Sequence, residues 1–336
     1  MDSIKEQDDV TIYDIAREAG VSASTVSRVI NDKPGVNRQT RERIRALLAE
    51  HRYVPNEAAR GLVTQSSRLV GVLVADIRNQ HHIEGAYYIA QELARLGYCA
   101  LVLNTGGSDE ERAAGIRMLE TRKAEAAVLM GSIFQTEAVR DAIACSLPEA
   151  PVFMLNGEMN LPNVYSVLSD DRAGTADCVA YLAERGRKRV AFLVDQPTPS
   201  SRLKQMGYEE GAARTGMLAL TIGGVEGSVE GGYAAAKALL AGHPDVDGLI
   251  CSLDIIACGA MRAIADSGRR VPQDVAVIGT DNSVYCDICT PRLTSLNTMV
   301  FESGVAIAHK LVDCLEGRST NKKTLLFTSI VERESA

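Results

Sequence analysis

Between Ala23 and Arg28 the chain places Ala23, Ser24, Thr25, Ser27 and Arg28 on one side of a short helical pattern, opposite Val26, Val29 and Ile30. Short polar side chains let a helix sit close to base edges, and an Arg fork matches the paired acceptors of guanine in the major groove. A second set of chemical groups follows aliphatic runs much further along: Asp76 to His82, Thr105, Asn156, Asp195 to Arg202, Asp254, and Asp281 with Asn282. Carboxylates, amides, histidines and one Arg at such places suit a small, hydroxyl-rich ligand, each polar group fixing one hydroxyl. Helix N-capping accounts equally well for Asp109, Asp171 and Asp254.

The first set needs a scaffold, and residues 10–63 supply one. Thr11 and Asp14 have the spacing of a capping box. Ile12, Ile15, Ala16 and Ala19 then form one apolar stripe at helical spacing. Gly20 provides the positive φ of a tight interhelical turn, and Ser22 can cap the second helix. A third helix starts near Asn37, with Ile44, Leu47 and Leu48 inward and Arg38, Arg41, Arg43 and Arg45 outward. Those arginines suit phosphate contacts and a plain solvated face equally. Pro55 is placed to open a further segment, NEAARGLV. It falls short of the ~12–15 residues that a lone helix needs in water, so it should coil only when held. Ala58 and Ala59 permit close approach of two such segments, and Leu62 could wedge a base step from the minor groove. An ordinary linker is the plainer alternative.

In the order YDIAREAGVS, TVSRVIN, VNRQTRERI, YVPNEAARGL, this stretch resembles the headpiece and hinge of the lac/galactose repressor family. At lower density the resemblance runs on to VERES. It implies base reading by Ala23, Ser24 and Arg28, and phosphate contact or support by Thr11, Ser22, Thr25, Ser27, Asn31 and Thr40. It also implies a minor-groove hinge of Asn56, Ala59 and Leu62.

Charge is divided along the chain. Net charge is −7, yet residues 11–62 hold nine Lys/Arg against six Asp/Glu, while the acidic leader 1–10 carries −3. Such separation confines phosphate attraction to one end. With 46% hydrophobic but only 4% aromatic residues, the core should be aliphatic. The polar first residues lack a secretory h-region, and no apolar run nears the ~18 residues of a membrane span, so a cytoplasmic protein is expected. Eight cysteines lie mostly in apolar runs and read as reduced, buried thiols. Cys286 and Cys289 form a lone CxxC without further ligands.

From Ser67 onward strands and helices alternate. LVGVLVA, YCALVLN, EAAVLM and PVFMLN form one series; YSVLS, RVAFLV, MLALTI, DGLICS and VAVIG form another. Continuous apolar runs with helices between them predict two doubly wound parallel-sheet lobes. The expected fold is therefore a small all-α helix-turn-helix headpiece plus an α/β body, which the family resemblance makes type I periplasmic-binding-protein-like. Expected boundaries are a leader at 1–10, headpiece at 11–55, hinge and linker at 56–66, and body at 67–333. Within the body the N-lobe takes about 67–162 and 293–320, and the C-lobe about 163–292 and 321–333.

The resemblance also implies effector contacts from Arg202, Asp281, Asn79, His81 and His82, to which the strand-end reading adds Asn156 and Asp254. The chain departs from the family pattern at NQHH (commonly NPFF), Leu253, Gly227 and the Thr298-Met299 pair. Arg202 with two histidines points to an anionic effector such as a sugar acid or sugar phosphate. No GxGxxG, GxxxxGK[ST] or GxSxG motif occurs, and five scattered histidines offer no metal-ligand spacing, so no catalytic residue, metal or cofactor is expected. The expectation is a dimeric, non-membrane regulator, a repressor of operator DNA switched by a small sugar-like metabolite. The alternatives are a constitutive DNA binder with a vestigial cleft and an α/β enzyme joined to a DNA-binding head. Because the chain stops at SIVERESA, without a C-terminal heptad helix, a homodimer is expected rather than a tetramer.

Overall fold

The computed structural model describes residues 10–30, 32–51, 53 and 66–336, in two compact units, Met1–Ser67 and Arg68–Ala336. The first contains α1 (Ile12–Ala19), α2 (Ala23–Ile30) and α3 (Arg38–Glu50). Its capping box is formed: Thr11 N donates to Asp14 Oδ2 at 3.0 Å, and Asp14 N returns to Thr11 Oγ1 at 3.4 Å. Gly20 ends α1 at φ +63°, a conformation a β-carbon disfavours. Asn37 caps α3 by accepting from Thr40 N at 2.8 Å. Ile15, Ala16, Ala19, Val26, Val29 and Ile44 close one small core.

In the second unit the strands are β1 (Leu69–Val74), β2 (Cys99–Asn104), β3 (Ala126–Met130), β4 (Val152–Leu155) and β5 (Val164–Ser169). They continue as β6 (Val190–Leu193), β7 (Leu220–Ile222), β8 (Gly248–Cys251), β9 (Ala276–Thr280), β10 (Thr294–Asn297), β11 (Lys323–Leu326) and β12 (Ser329–Val331). The helices are α4 (Gln80–Arg95), α5 (Asp109–Thr121), α6 (Glu137–Ser146), α7 (Asp171–Glu184) and α8 (Pro199–Thr215). After them come α9 (Val229–Gly242), α10 (Asp254–Asp266), the short α11 (Tyr285–Ile288) and α12 (Val300–Leu315). Two six-stranded sheets result, ordered β11-β5-β4-β3-β1-β2 and β12-β10-β9-β8-β6-β7. Apart from β12, which runs antiparallel to β10, all strands pair in parallel. Helices cover both faces of each sheet, which is why the strands read as unbroken apolar runs.

Three strands lie in the other lobe from the one expected. Val164–Ser169, assigned above to the C-lobe, pairs with β4 in the first sheet. The connection 156–163 contains no helix, so strand–helix alternation put the break one strand too early. Thr294–Asn297, expected in the N-lobe, pairs with β9, and Lys323–Leu326, expected in the C-lobe, pairs with β5. The helix between them, α12, packs into the core of the first sheet. The chain thus changes lobe after β5, after β10 and after β11, and short single strands carry no local mark of which sheet they join.

Candidate functional site

Two groups of side chains stand out, one in each unit. On α2, Ser24 and Arg28 are exposed, while Ala23, Thr25 and Ser27 are half-buried. Ser22 Oγ lies 2.8 Å from Ser24 Oγ and 2.9 Å from Thr25 Oγ1, gathering hydroxyls at the start of the helix. The backbone N–H groups there are suited to a phosphate, and Arg28 extends from the last turn. The α3 arginines behave differently. Arg38 pairs with Glu42 at 2.8 Å, while Arg41 and Arg45 both reach Asp32, at 3.2 and 2.6 Å. They tie the headpiece together as much as they present charge. Thr40, half-buried, lies in the first turn of α3. Asn31, Asn56, Ala59 and Leu62 lie outside the described residues, as does nearly all of the expected hinge.

In the second unit the polar groups gather beyond the carboxyl ends of strands, where open parallel sheets place ligands. The cavity there is lined by Asn79, His81, Leu253, Asp254, Asp281 and Ser283, among others, and measures about 40 Å³. Ligand pockets usually span ~300 Å³ or more, so a sugar-sized molecule enters only if the lobes part. His81 of the first lobe lies 3.3 Å from Asp281 of the second, and Ser200 N donates to Ser132 Oγ across the same divide at 3.0 Å. Asp281 holds φ +105°, strained for a non-glycine residue, and Thr298 Oγ1 donates to its Oδ1 at 3.4 Å.

At the centre lies Lys204. Its ammonium is buried and donates to Ser252 O at 3.2 Å. Burial alone would depress it, but Asp171, Asp281, Asp195 and Asp254 together outweigh that and hold it above the ordinary lysine value. Asp195 Oδ1 accepts from Ser201 Oγ at 2.9 Å and Ser252 Oγ at 3.0 Å. Asp171 is 2% exposed; its Oδ2 accepts from Ser200 Oγ, while its Oδ1 is sealed from solvent without a hydrogen-bond partner. Burial raises that carboxyl, against the opposing pull of Lys204. Burial, then the neighbouring His81, push His82 down to about 3, so it is neutral near pH 7. Its Nδ1 is likewise sealed and unpartnered.

Several residues expected at the ligand also make structural hydrogen bonds. Asp254 accepts from Ser283 N, Ser283 Oγ and Cys286 Sγ at Oδ2, and from Ser295 Oγ at Oδ1, at 2.7, 2.8, 3.2 and 2.6 Å. It is pushed up to about 6, by burial first and by the charge of Asp281 second. This carboxylate fastens the wall of the cleft. Asn79 caps α4 through His82 N at 3.1 Å, and Asn156, at φ +49°, accepts from Ser169 N at 2.8 Å. Arg202 is exposed. On a helix two positions are 200° apart, so Arg202 faces away from the buried stripe of Ser201, Lys204 and Tyr208. Arg78 lines the cavity, and the buried cation among these carboxylates is Lys204, which the sequence reading missed. The apolar and small residues at i, i+3 and i+7 around it were the available signal. N-capping also shifts by one residue: Asp170 caps α7 and Ser108 caps α5, leaving Asp171 and Asp109 inside the first turn.

Residues 11–56 match the model of bacterial regulatory proteins of the lacI family, and residues 179–336 match a periplasmic binding protein-like domain. An HTH-type transcriptional regulator of Lachnoclostridium phytofermentans is 30% identical over 97% of this chain and 99% of its own length. A ribose operon repressor of Halalkalibacterium halodurans is 26% identical, over 97% of this chain and 96% of that one. Among solved structures, the lac repressor dimer bound to operator and the anti-inducer ONPF superposes with a TM-score of 0.88 at 26% identity, covering 97% and 98% of the two chains. Coverage from end to end by regulators carrying the same headpiece and the same two-lobed body decides the matter: the chain belongs to the lacI family of bacterial transcription regulators, DNA-binding proteins rather than enzymes.

Proposed function

We propose that this regulator is a repressor that binds operator DNA as a homodimer and is switched by an uncharged, polyhydroxylated metabolite held between its lobes. Ala23, Ser24 and Arg28 read bases, while Ser22, Thr25, Ser27, Asn31, Thr11 and Thr40 contact or support phosphate contacts. Asn56, Ala59 and Leu62 form the hinge that enters the minor groove. The relative solved with operator is a dimer, and the ribose operon repressor and a CelR–cellobiose complex are also similar to this chain.

The observation that carries the effector reading is the charge balance around Lys204. One buried ammonium stands among the carboxylates Asp171, Asp195, Asp254 and Asp281, and Arg78 in the cavity lining is already paired with Asp76 at 2.7 Å, so an incoming anion meets an excess of like charge. An anionic effector, favoured when Arg202 was the expected cation, is therefore replaced by a neutral one. Hydroxyls suit these groups because each can donate to a carboxylate and accept from an ammonium. Asp281 and His81 belong to different lobes, so a molecule bonding both sets the angle between the lobes, which is how it would bias operator affinity. A vestigial cleft has no need of these buried charges, which cost several kcal/mol each to desolvate.

The test selects duplexes from a random pool with purified protein, then titrates the winner against neutral sugars and polyols, sugar acids and sugar phosphates. A neutral compound should change operator affinity by roughly 5–150-fold, the usual range of such coupling. Arg28→Ala should relax preference at one base position by about 1–3 kcal/mol. Selection of no duplex, or a response confined to sugar acids or phosphates, overturns the reading.

A further inference from the structure

Cys258 and Cys289 are 31 positions apart in the chain, yet their sulfurs lie 3.0 Å apart. Cys258 sits one turn into α10, and Cys289 closes α11. Both are partly exposed, so a small oxidant can reach them. Cys286, the other half of the CxxC, is buried and gives its S–H to Asp254 Oδ2 at 3.2 Å. Two sulfurs at this separation need move only about 1 Å closer to reach the bonded distance of ~2.0 Å.

The two thiols are also unequal. The hydrogen bond from Cys258 holds Cys289 below the ordinary thiol value, and the same bond, with burial, pushes Cys258 above it. Cys289 therefore supplies the thiolate, the form that reacts. Position gives the pair a consequence. Asp254 and Ile255 at the start of α10, and Ser283 and Tyr285 before and within α11, line the same cavity.

We propose that Cys289 and Cys258 form a peroxide-responsive pair that closes to a disulfide and fixes α10 against α11 in the wall of the cleft. Cys289 first releases its proton to solvent, and its thiolate attacks one oxygen of hydrogen peroxide. The O–O bond breaks, giving a sulfenic acid and a hydroxide that takes the Cys258 proton to become water. Cys258 sulfur then attacks the sulfenic sulfur and expels hydroxide, which takes up the proton Cys289 released. Two thiols and one peroxide yield one disulfide and two waters; both sulfurs are oxidised and the peroxide oxygens are reduced. The importance of this wall for an effector rests on the function proposed above, but the thiol chemistry does not.

The test treats the reduced full-length protein with hydrogen peroxide, alkylates remaining thiols and maps the peptides. Wild type and Cys286→Ser should both yield a Cys258–Cys289 disulfide; Cys258→Ser should stop at a Cys289 sulfenic acid trapped by a dicarbonyl probe. Mapping also separates this product from any formed by the exposed Cys99 and Cys145. The oxidised wild type should unfold on the order of 5–10 °C higher, as expected for a cross-link closing a loop of this length. Amide exchange across 253–258 and 283–289 should slow. Recovery of both cysteines reduced, their separate over-oxidation, or a Cys286–Cys289 bond overturns the pair. A disulfide that leaves exchange in both segments unchanged overturns its effect on the wall. No outcome depends on identifying the effector.

Discussion

The face of α2 and the cleft around Lys204 carry their polar chemistry in opposite ways. On the headpiece the polar side chains of α2 come from one helix of eight residues and are exposed or half-buried, beside ion pairs such as Arg38–Glu42 that are largely exposed. Exposed pairs of that kind contribute ~0–1 kcal/mol each, so such a surface can vary with little effect on the fold. In the cleft, Ser132, Asp171, Asp195, Lys204, Ser252 and Asp281 come from six separate segments, most of them buried. There each charge is tolerated only because another opposes it. The α2 face is an exposed, replaceable surface; the cleft around Lys204 is a mutually dependent interior.

The comparison breaks most severely at Lys204. Lys204→Met removes the buried cation of the cleft and leaves Asp171, Asp195, Asp254 and Asp281 without its opposing charge. Removing one partner of a buried charge set costs about 3–5 kcal/mol, so the body should unfold at markedly lower denaturant. Adding Asp171→Asn should recover part of that loss, because it removes one of the stranded charges. Equal stability of Lys204→Met and wild type in urea titration would mean that the cleft is as loosely coupled as the headpiece surface.

This contrast also decides what could be read from the sequence. Headpiece helices were legible because their determinants are local: a capping box at Thr11 and Asp14, Gly20 at the turn, Ile15, Ala16 and Ala19 on one stripe. Nine strands of the body were legible as apolar runs. Assigning strands to lobes failed where the chain crosses between sheets, at β5, β10 and β11, because pairing partners there are distant in sequence. In the cleft, residue type was visible but direction was not. Arg202 and Lys204 lie two positions apart, and only packing of α8 determines which of them faces inward. Likewise the CxxC spacing suggested Cys286 with Cys289, while the fold pairs Cys289 with Cys258 instead.

A smaller effect sharpens the comparison along pH. His82 lies at about 3 against an ordinary 6.5, so it contributes stability in full above pH 6.5 and loses it as the pH falls toward 3. Between pH 7 and pH 5 that loss is about 2 kcal/mol. Asp254 works in the other direction: raised to about 6, its buried charge is a penalty above that pH, relieved as the pH falls toward 3.8. Wild type and His82→Asn share Asp254, so the difference between their body stabilities isolates the histidine. Guanidinium titrations of both at pH 7 and pH 5 should show His82→Asn losing about 2 kcal/mol less on acidification. Parallel losses would place proton sensitivity elsewhere in the body.

The smallest expected effect tests the headpiece. Thr11 accepts from Asp14 N and opens α1, and replacing such a cap by Ala costs ~1 kcal/mol. That is modest against the body, but among the described residues the headpiece core holds six buried side chains, four of them fully sealed: Ile15, Ala19, Val26 and, on α3, Ile44. For a domain this small, 1 kcal/mol lowers the melting temperature by about 4–8 °C. Thr11→Ala should therefore move the headpiece transition, followed through amide resonances of α1 and α2, and leave the body transition where it was. Thr11→Ser should restore it, since the hydroxyl rather than the methyl makes the cap. If both transitions move together, the two units unfold as one, and stability lost in the headpiece is shared by the cleft.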